Sequence, residues 1–282
     1  MKLSQARIAI ALAVLVAANS GCGVINRIRA KNELNEAART YREGQFIEAE
    51  QHSRKALELD PNSKTAPLFI ARTIHAQYRP GVASPENVAK AREAIEAYKK
   101  ILETDPQNEE AYKAIAFLYE KIKEDAKLRE WIIARANDDR VEPDKRAEAY
   151  IVLASKDWNC SFQITDLPTI KTTTVTNGKA TVTYKKPDQK DFDAAQQCVK
   201  RGLEEVENAI RFDPNSESAW SYKTNLLLEA SKLAEMEGNT ERKAELDKQR
   251  EEAQKRTNQL SEENRKKQAE EEAKQAASPP SS

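Results

Sequence analysis

Glycine is scarce in this chain of 282 residues, with seven in all, and so are histidine, with two, and aromatic side chains, at 6%. Each shortage removes a class of chemistry. The glycines, at 21, 23, 44, 81, 178, 202 and 238, are too scattered to build a phosphate-cradling loop or a dinucleotide fingerprint. No Gly-x-Ser-x-Gly elbow, His-Glu-x-x-His helix or Cys-x-x-Cys pair occurs. His52 and His75 stand in helical patterns beside small and aliphatic residues and read as surface or core-edge positions. Lys+Arg and Asp+Glu number 46 each, so no overall field draws in nucleic acid or an acidic substrate. The abundant carboxylates read as a solvated helical surface. These absences predict a protein without catalytic residues, metal or cofactor.

What is present favours helix. Charged residues make up 33% of the chain and hydrophobic ones 39%, with few β-branched runs from which to build a sandwich, a barrel or a parallel sheet. The expected class is all-α. The one long apolar run, Ile8 to Ala18, follows Lys2 and Arg7 with no acid and ends in Asn19-Ser20-Gly21. It is about half the ~20 residues a spanning helix needs, so residues 1–21 read as a secretory signal peptide.

Ser20-Gly21-Cys22 resembles the end of a bacterial lipobox, which implies lipidation of Cys22 and membrane attachment through that lipid. Asn19 stands where lipoboxes usually carry an aliphatic residue, which leaves cleavage after Ala18-Asn19-Ser20 and a soluble periplasmic protein as the alternative. Gly23, where retained lipoproteins carry Asp, implies the outer membrane of a two-membrane cell. The other cysteines, Cys160 and Cys198, are expected to pair in an oxidising compartment.

Gly44-Gln45-Phe46-Ile47-Glu48-Ala49 leads into Ala56-Leu57-Glu58-Leu59-Asp60-Pro61-Asn62, with Phe46, Ala49 and Ala56 on one helical face. An Asp-Pro stop ends a helix, because proline restricts the residue before it and lacks an N–H. The stop recurs at Asp105-Pro106 and Asp213-Pro214, with a degraded version at Val141-Glu142-Pro143; the spacings are 45, 37 and 71 residues. First-helix patterns accompany it at Ile70-Ala71, Ala111-Tyr112, Ala149-Tyr150 and Ala219-Trp220. The pattern resembles the tetratricopeptide repeat, whose period is about 34 residues. That resemblance implies a TPR-type helical-hairpin solenoid whose first helices line a concave groove for a protein or peptide partner. Inward-facing positions would then be Arg72, Glu110, Lys113, Phe117, Lys121, Tyr222 and Asn225. Lys113 matches one place of the family's carboxylate clamp, but Phe117 stands where its partner Asn belongs, which disfavours binding of chaperone tails.

Two insertions stretch the period. Arg79 to Pro85 reads as a lengthened turn, with Ser84 capping the helix that begins near Pro85. Residues 159–187 read as a β-hairpin about Asn177-Gly178, pairing Val175 with Ala180, Thr173 with Val182 and Lys171 with Tyr184, one face packing on the helices. The resulting plan is a signal peptide at 1–21, a tether at 22–30, a solenoid at 31–238, and from 239 to 282 a charged helix fraying beyond about Leu260 into a disordered tail. The expected function is an interaction scaffold of the bacterial cell envelope. The alternatives are a cytoplasmic co-chaperone or regulatory adaptor, and an envelope small-ligand binder or enzyme on a repeat scaffold.

Overall fold

The computed structural model describes residues 23–176 and 178–277. The segment expected to be a signal peptide, Cys22, Asn177 and the end of the expected disordered tail, residues 278–282, lie outside the described residues. In chain order the elements are α1 (23–42), α2 (Phe46–Leu59), α3 (Ala66–Gln77), α4 (Pro85–Thr104), α5 (Glu109–Lys121), α6 (Asp125–Asn137), α7 (Pro143–Thr165), β1 (Lys171–Thr176), β2 (Lys179–Tyr184), α8 (Gln189–Phe212), α9 (Glu217–Met236) and α10 (Thr240–Ala277). The protein is all-α, built from helical hairpins with one small β-hairpin inserted. It divides within α6 into two compact units, the first ending at Leu128 and the second beginning at Arg129.

The repeated turns explain why helices follow one another in pairs. At Asp60, Asp105 and Asp213 the backbone N–H donates to the carbonyls of Ala56, Ile101 and Ala209, closing the last helical turn before the proline. Three residues after each of these Asp positions stands a side chain that serves the next helix. Ser63 accepts from the Ala66 amide at 3.1 Å, Asn108 from Ala111 at 3.0 Å and Ser216 from Ala219 at 3.3 Å. One tetrapeptide thus stops a helix and starts another. Pro143 behaves differently from the degraded stop expected of it: α6 has already ended at Asn137, and Pro143 opens α7 in its first turn, where the missing N–H costs nothing.

In the first unit, small residues sit where helices cross: Ala49, Ala56, Ala71, Ala91, Ala94 and Ala111 have no exposed surface, and Tyr98, Ile74, Ile95 and Ile115 fill the space between. The start of α1 departs from expectation. Residues 23–30, expected as a tether, form its first turns, because Ala30 and Leu34 pack against Ala56 and Ala66. Ser84 caps α4 as expected, accepting from Asn87 N at 3.2 Å. Asn87 itself clamps the long turn, donating to the carbonyls of Arg79 and Val82 and accepting from Arg79 N.

In the second unit, α7 and α8 are joined by the Cys160–Cys198 disulfide, with Cα atoms 6.1 Å apart. Gly202 on α8 is closely covered on both sides; a Cβ there would stand 2.6 Å from a methyl of the buried Leu226 on α9 and 3.3 Å from Asp157 Cβ on α7. The hairpin between them has the expected register, Val175 opposite Ala180, Thr173 opposite Val182 and Lys171 opposite Tyr184, with Gly178 at φ +74°. Its apolar face, however, is not packed on the helices. Val175 is 68% and Val182 39% exposed, and only the base is held, where the Tyr184 amide meets Glu235 Oε1 at 3.4 Å. The helix α7 also runs to Thr165, past the expected start of the insertion at 159.

The last helix is longer than its composition suggests. Leu246, Ala253 and Leu260, spaced by seven, are all buried, and Asn264 still reaches Glu217 at 3.0 Å. Beyond that point α10 continues to Ala277, in place of the frayed end expected after Leu260, with Glu262 and Lys266 paired four residues apart at 3.0 Å.

Candidate functional site

The groove residues expected from the first helices fall into both units. In the first unit, Glu110, Lys113, Phe117 and Lys121 form one stripe of α5, set by spacings of three and four. The neighbouring helix α3 contributes Arg72 and His75, also three apart. Arg72 and Glu110 are brought together in a two-pronged ion pair in which Arg72 Nε donates to one Glu110 carboxylate oxygen and Nη2 to the other. This pair links α3 to α5, both of which pack on α4. Both members are about 40% exposed, so it orients more than it stabilises.

Phe117 occupies the middle of the stripe and is 40% exposed. Its ring lies 5.8 Å from the His75 imidazole, at 37°, and Lys121 Nζ stands 5.2 Å from its centroid. Behind His75 is the buried Tyr98, edge-on at 5.9 Å, with its hydroxyl 3.4 Å from Nδ1. Burial pushes the His75 imidazole below its ordinary range and so favours the neutral ring, while burial pushes the Tyr98 phenol up. The surface is therefore an apolar aromatic pair with Lys121 over one ring, and with the Arg72–Glu110 ion pair on the same two helices. An extended peptide with a hydrophobic side chain and a nearby carboxylate matches that arrangement. Lys113 is exposed and stands 3.6 Å from Glu109, at the margin of the cluster.

Reading the sequence singled out His75 only as core-edge and missed its contact with Phe117. Its place three residues after Arg72, on the stripe that faces α5, was the available signal. His52 holds α1 to α2, its Nδ1 2.6 Å from Glu33 Oε2, with Lys55 on the other oxygen. The same unit has a second depression, lined by Phe46, Ile47, Gln51, Ala76, Gln77 and Arg79 among others and about 730 Å³ in volume, to which none of the expected groove residues contributes.

In the second unit, Tyr222 and Asn225 lie on α9. Tyr222 is half-buried, edge-on to Trp158 at 6.2 Å, so it serves the packing of α7 on α9 as much as any surface; Asn225 is half-buried too. Two charged clusters here were not read from the sequence. In one, Arg129 bridges Glu205 at 2.6 Å and Asp157 at 3.0 Å, while Arg201 meets the other Asp157 oxygen at 2.8 Å and Cys198 Sγ at 3.3 Å. In the other, the buried Glu229 accepts from Ser161, Thr165 and Lys232, and the Lys232 ammonium lies between the rings of Phe162 and Tyr184. Both are enclosed by three helices or by the hairpin base, which suits a structural role. Among the described residues no cluster of His, Cys, Asp and Glu is arranged to hold a metal ion, and no helix is long and apolar enough to cross a membrane.

Comparison with known proteins adds a local match. A family model described as the protein prenyltransferase alpha subunit repeat matches residues 199–230, the hairpin formed by α8 and α9 about Asp213-Pro214. No curated protein matches. Among solved structures, residues 41 to the end of MamA from Desulfovibrio magneticus RS-1 are similar at 15% identity and a TM-score of 0.36, covering 79% of this chain and 96% of that one. The pilF protein of Pseudomonas aeruginosa is similar at 15% and 0.34, covering 78% and 90%. YrrB, described as a TPR protein with an unusual peptide-binding site, is similar at 13% and 0.35, covering 82% and 90%.

Proposed function

We propose that this chain is a non-catalytic adaptor that captures a protein or peptide on the α3–α5 surface and is held in the bacterial cell envelope, at the periplasmic face of the outer membrane, by a lipid on Cys22. The observation that carries the binding reading is Phe117, a large aromatic side chain left exposed beside the His75 imidazole with the Lys121 ammonium over its ring, on a surface that the Arg72–Glu110 pair also links. Exposed aromatics held rigidly in this way are the usual anchors of interfaces. The envelope reading is supported by the basic start, the short apolar run and Ser20-Gly21-Cys22. The Cys160–Cys198 disulfide agrees with it.

The binding test compares proteins crosslinked in living cells to the wild-type chain with those crosslinked to Phe117→Ala and Lys113→Ala. A specific partner captured by the wild type and reduced about tenfold or more by Phe117→Ala, with helical content unchanged by circular dichroism, is the expected result. Equal capture by the variant rejects this surface. The anchor is tested by the intact mass of the mature chain, with Cys22→Ser alongside: an added diacylglyceryl group that disappears in the variant is expected, and an unmodified Met1 rejects the envelope reading.

A further inference from the structure

The first turns of α1 carry an apolar patch that the fold does not use. Val24, Ile25 and Ile28 are 58%, 51% and 58% exposed. At 3.6 residues per turn they fall on the side of the helix opposite Ala30, Leu34 and Ala37, the residues that face the core. A helix that packs on one side has no folding reason to be apolar on the other. Three exposed cations frame the patch, Arg27 and Lys31 along one border and Arg29 along the other. No carboxylate precedes Glu33 in the whole sequence, and Glu33 is engaged by His52 and Lys55. In a chain whose charges balance overall, the stretch before Glu33 carries only cations, and the start of α1 is basic and amphipathic in the manner of helices that lie in a bilayer surface.

We infer that the start of α1 docks on an anionic phospholipid surface, with Val24, Ile25 and Ile28 entering the acyl boundary and Arg27, Arg29 and Lys31 meeting the headgroup phosphates. The inference rests on the proposed lipid at Cys22, which would place Gly23 at the membrane and α1 directly on it. A lipid on a slack tether leaves the attached domain free to tumble, whereas a helix that begins one residue after the lipid and lies in the interface fixes the domain's orientation. The surface then has a mechanical role: it sets which way the proposed α3–α5 binding surface faces.

The test uses the mature full-length chain carrying Ile28→Cys. With Cys160 and Cys198 disulfide-bonded and Cys22 lipidated, this is the one thiol open to an environment-sensitive fluorophore. The labelled protein is reconstituted in phosphatidylcholine vesicles with and without phosphatidylglycerol. Blue-shifted emission, quenched by nitroxide-labelled acyl chains in the anionic vesicles and at least halved by combined Arg27→Gln, Arg29→Gln and Lys31→Gln, is the expected outcome. A chain shown by mass to be lipidated, but whose probe reports water in both vesicles, overturns the docking surface while leaving the anchor intact. Equal quenching in neutral vesicles overturns the anionic assignment. A shift that follows protein concentration without vesicles gives the patch to a second copy and overturns the proposal. If the mass shows no lipid, the anchor reading fails by itself. Sedimentation of unlabelled protein with the anionic vesicles then decides the surface: co-sedimentation supports it and its absence overturns it.

Discussion

The His75 imidazole on α3 lies 5.8 Å from the Phe117 ring on α5, so one exposed aromatic covers a histidine whose neutral form burial favours. Removing that cover admits water to the imidazole. In Phe117→Ala the His75 pKa should rise towards the ordinary value of 6.5, since desolvation is the cause of its depression. A proton titration followed by NMR, with His52→Gln to assign the two histidines, checks this. An unmoved titration would mean that Tyr98 and the backbone alone bury the ring. The sign for stability follows. A His held below its unfolded pKa contributes stability that is present above about 6.5 and is lost as pH falls below it, and the variant should lose less over that interval.

Glu229 and Lys232 give a sharper stability prediction because both are almost wholly buried. The carboxylate accepts from Ser161 and Thr165 on α7 as well as from the ammonium, and the two hydroxyls cannot neutralise its charge. Lys232→Met should therefore cost about 3–5 kcal/mol by leaving a buried charge unpaired. The double change Glu229→Leu with Lys232→Met should cost much less, because only the two hydroxyls are then left without their acceptor. Urea unfolding of the three proteins measures the difference; equal losses in the single and double variants would contradict it.

These two networks mark where sequence reading stopped. The Asp-Pro turns were legible because everything that makes them lies within eight residues, from the closing carbonyl at Ala56 to the cap at Ser63. The hairpin register was legible because Asn177-Gly178 sets it locally. The exposure of its apolar face was not, since that depends on where α9 passes relative to β2. The same holds for α10: Leu246, Ala253 and Leu260 look too sparse for a seam, yet α9 needs only one residue per heptad on this side. For the expected groove, the spacing along α5 puts Phe117 and Glu110 on one stripe, but pairing Arg72 with Glu110 and His75 with Phe117 required the distance between two helices, which no local pattern carries.

Glu205 predicts a pH dependence of the opposite sense. Burial pushes its carboxyl up to about 7, the Arg129 and Arg201 cations pulling it down and the Asp157 carboxylate adding to the rise. A carboxyl raised above its ordinary 4.5 on folding holds a proton more tightly in the native state. Its contribution is therefore fully present below about 4.5 and is lost as pH rises through about 7. The stability of the wild type relative to Glu205→Gln should therefore fall as pH rises across that window, the His75 contribution being common to both proteins. Thermal melts at intervals between pH 5 and 8 provide the comparison, and parallel curves would show that Glu205 is ionised throughout. Glu33, Asp138 and Asp247 are lowered by their partners and act only below that window, so the difference between the two proteins isolates Glu205.

The disulfide closes a loop of 38 residues that contains the whole β-hairpin, between helices already packed along their length. Restricting that loop in the unfolded chain is worth about 4 kcal/mol by chain entropy, less whatever strain the native bond carries. At about 2–4 °C per kcal/mol for a unit of this size, opening it should lower the second unit's melting temperature by roughly 8–16 °C. The variant chosen for the test affects the answer. Cys198 is buried, and a serine there would add the cost of an unsatisfied hydroxyl to the cost of the lost crosslink. Cys160→Ala with Cys198→Ala removes the bond with a smaller packing loss, and reduction of the wild type provides a second route to the open loop. Calorimetry of both should agree within about 1 kcal/mol if loop entropy is the cause. A loss confined to the alanine variant would instead assign the effect to packing about Arg201 and Sγ of Cys198, which stand 3.3 Å apart.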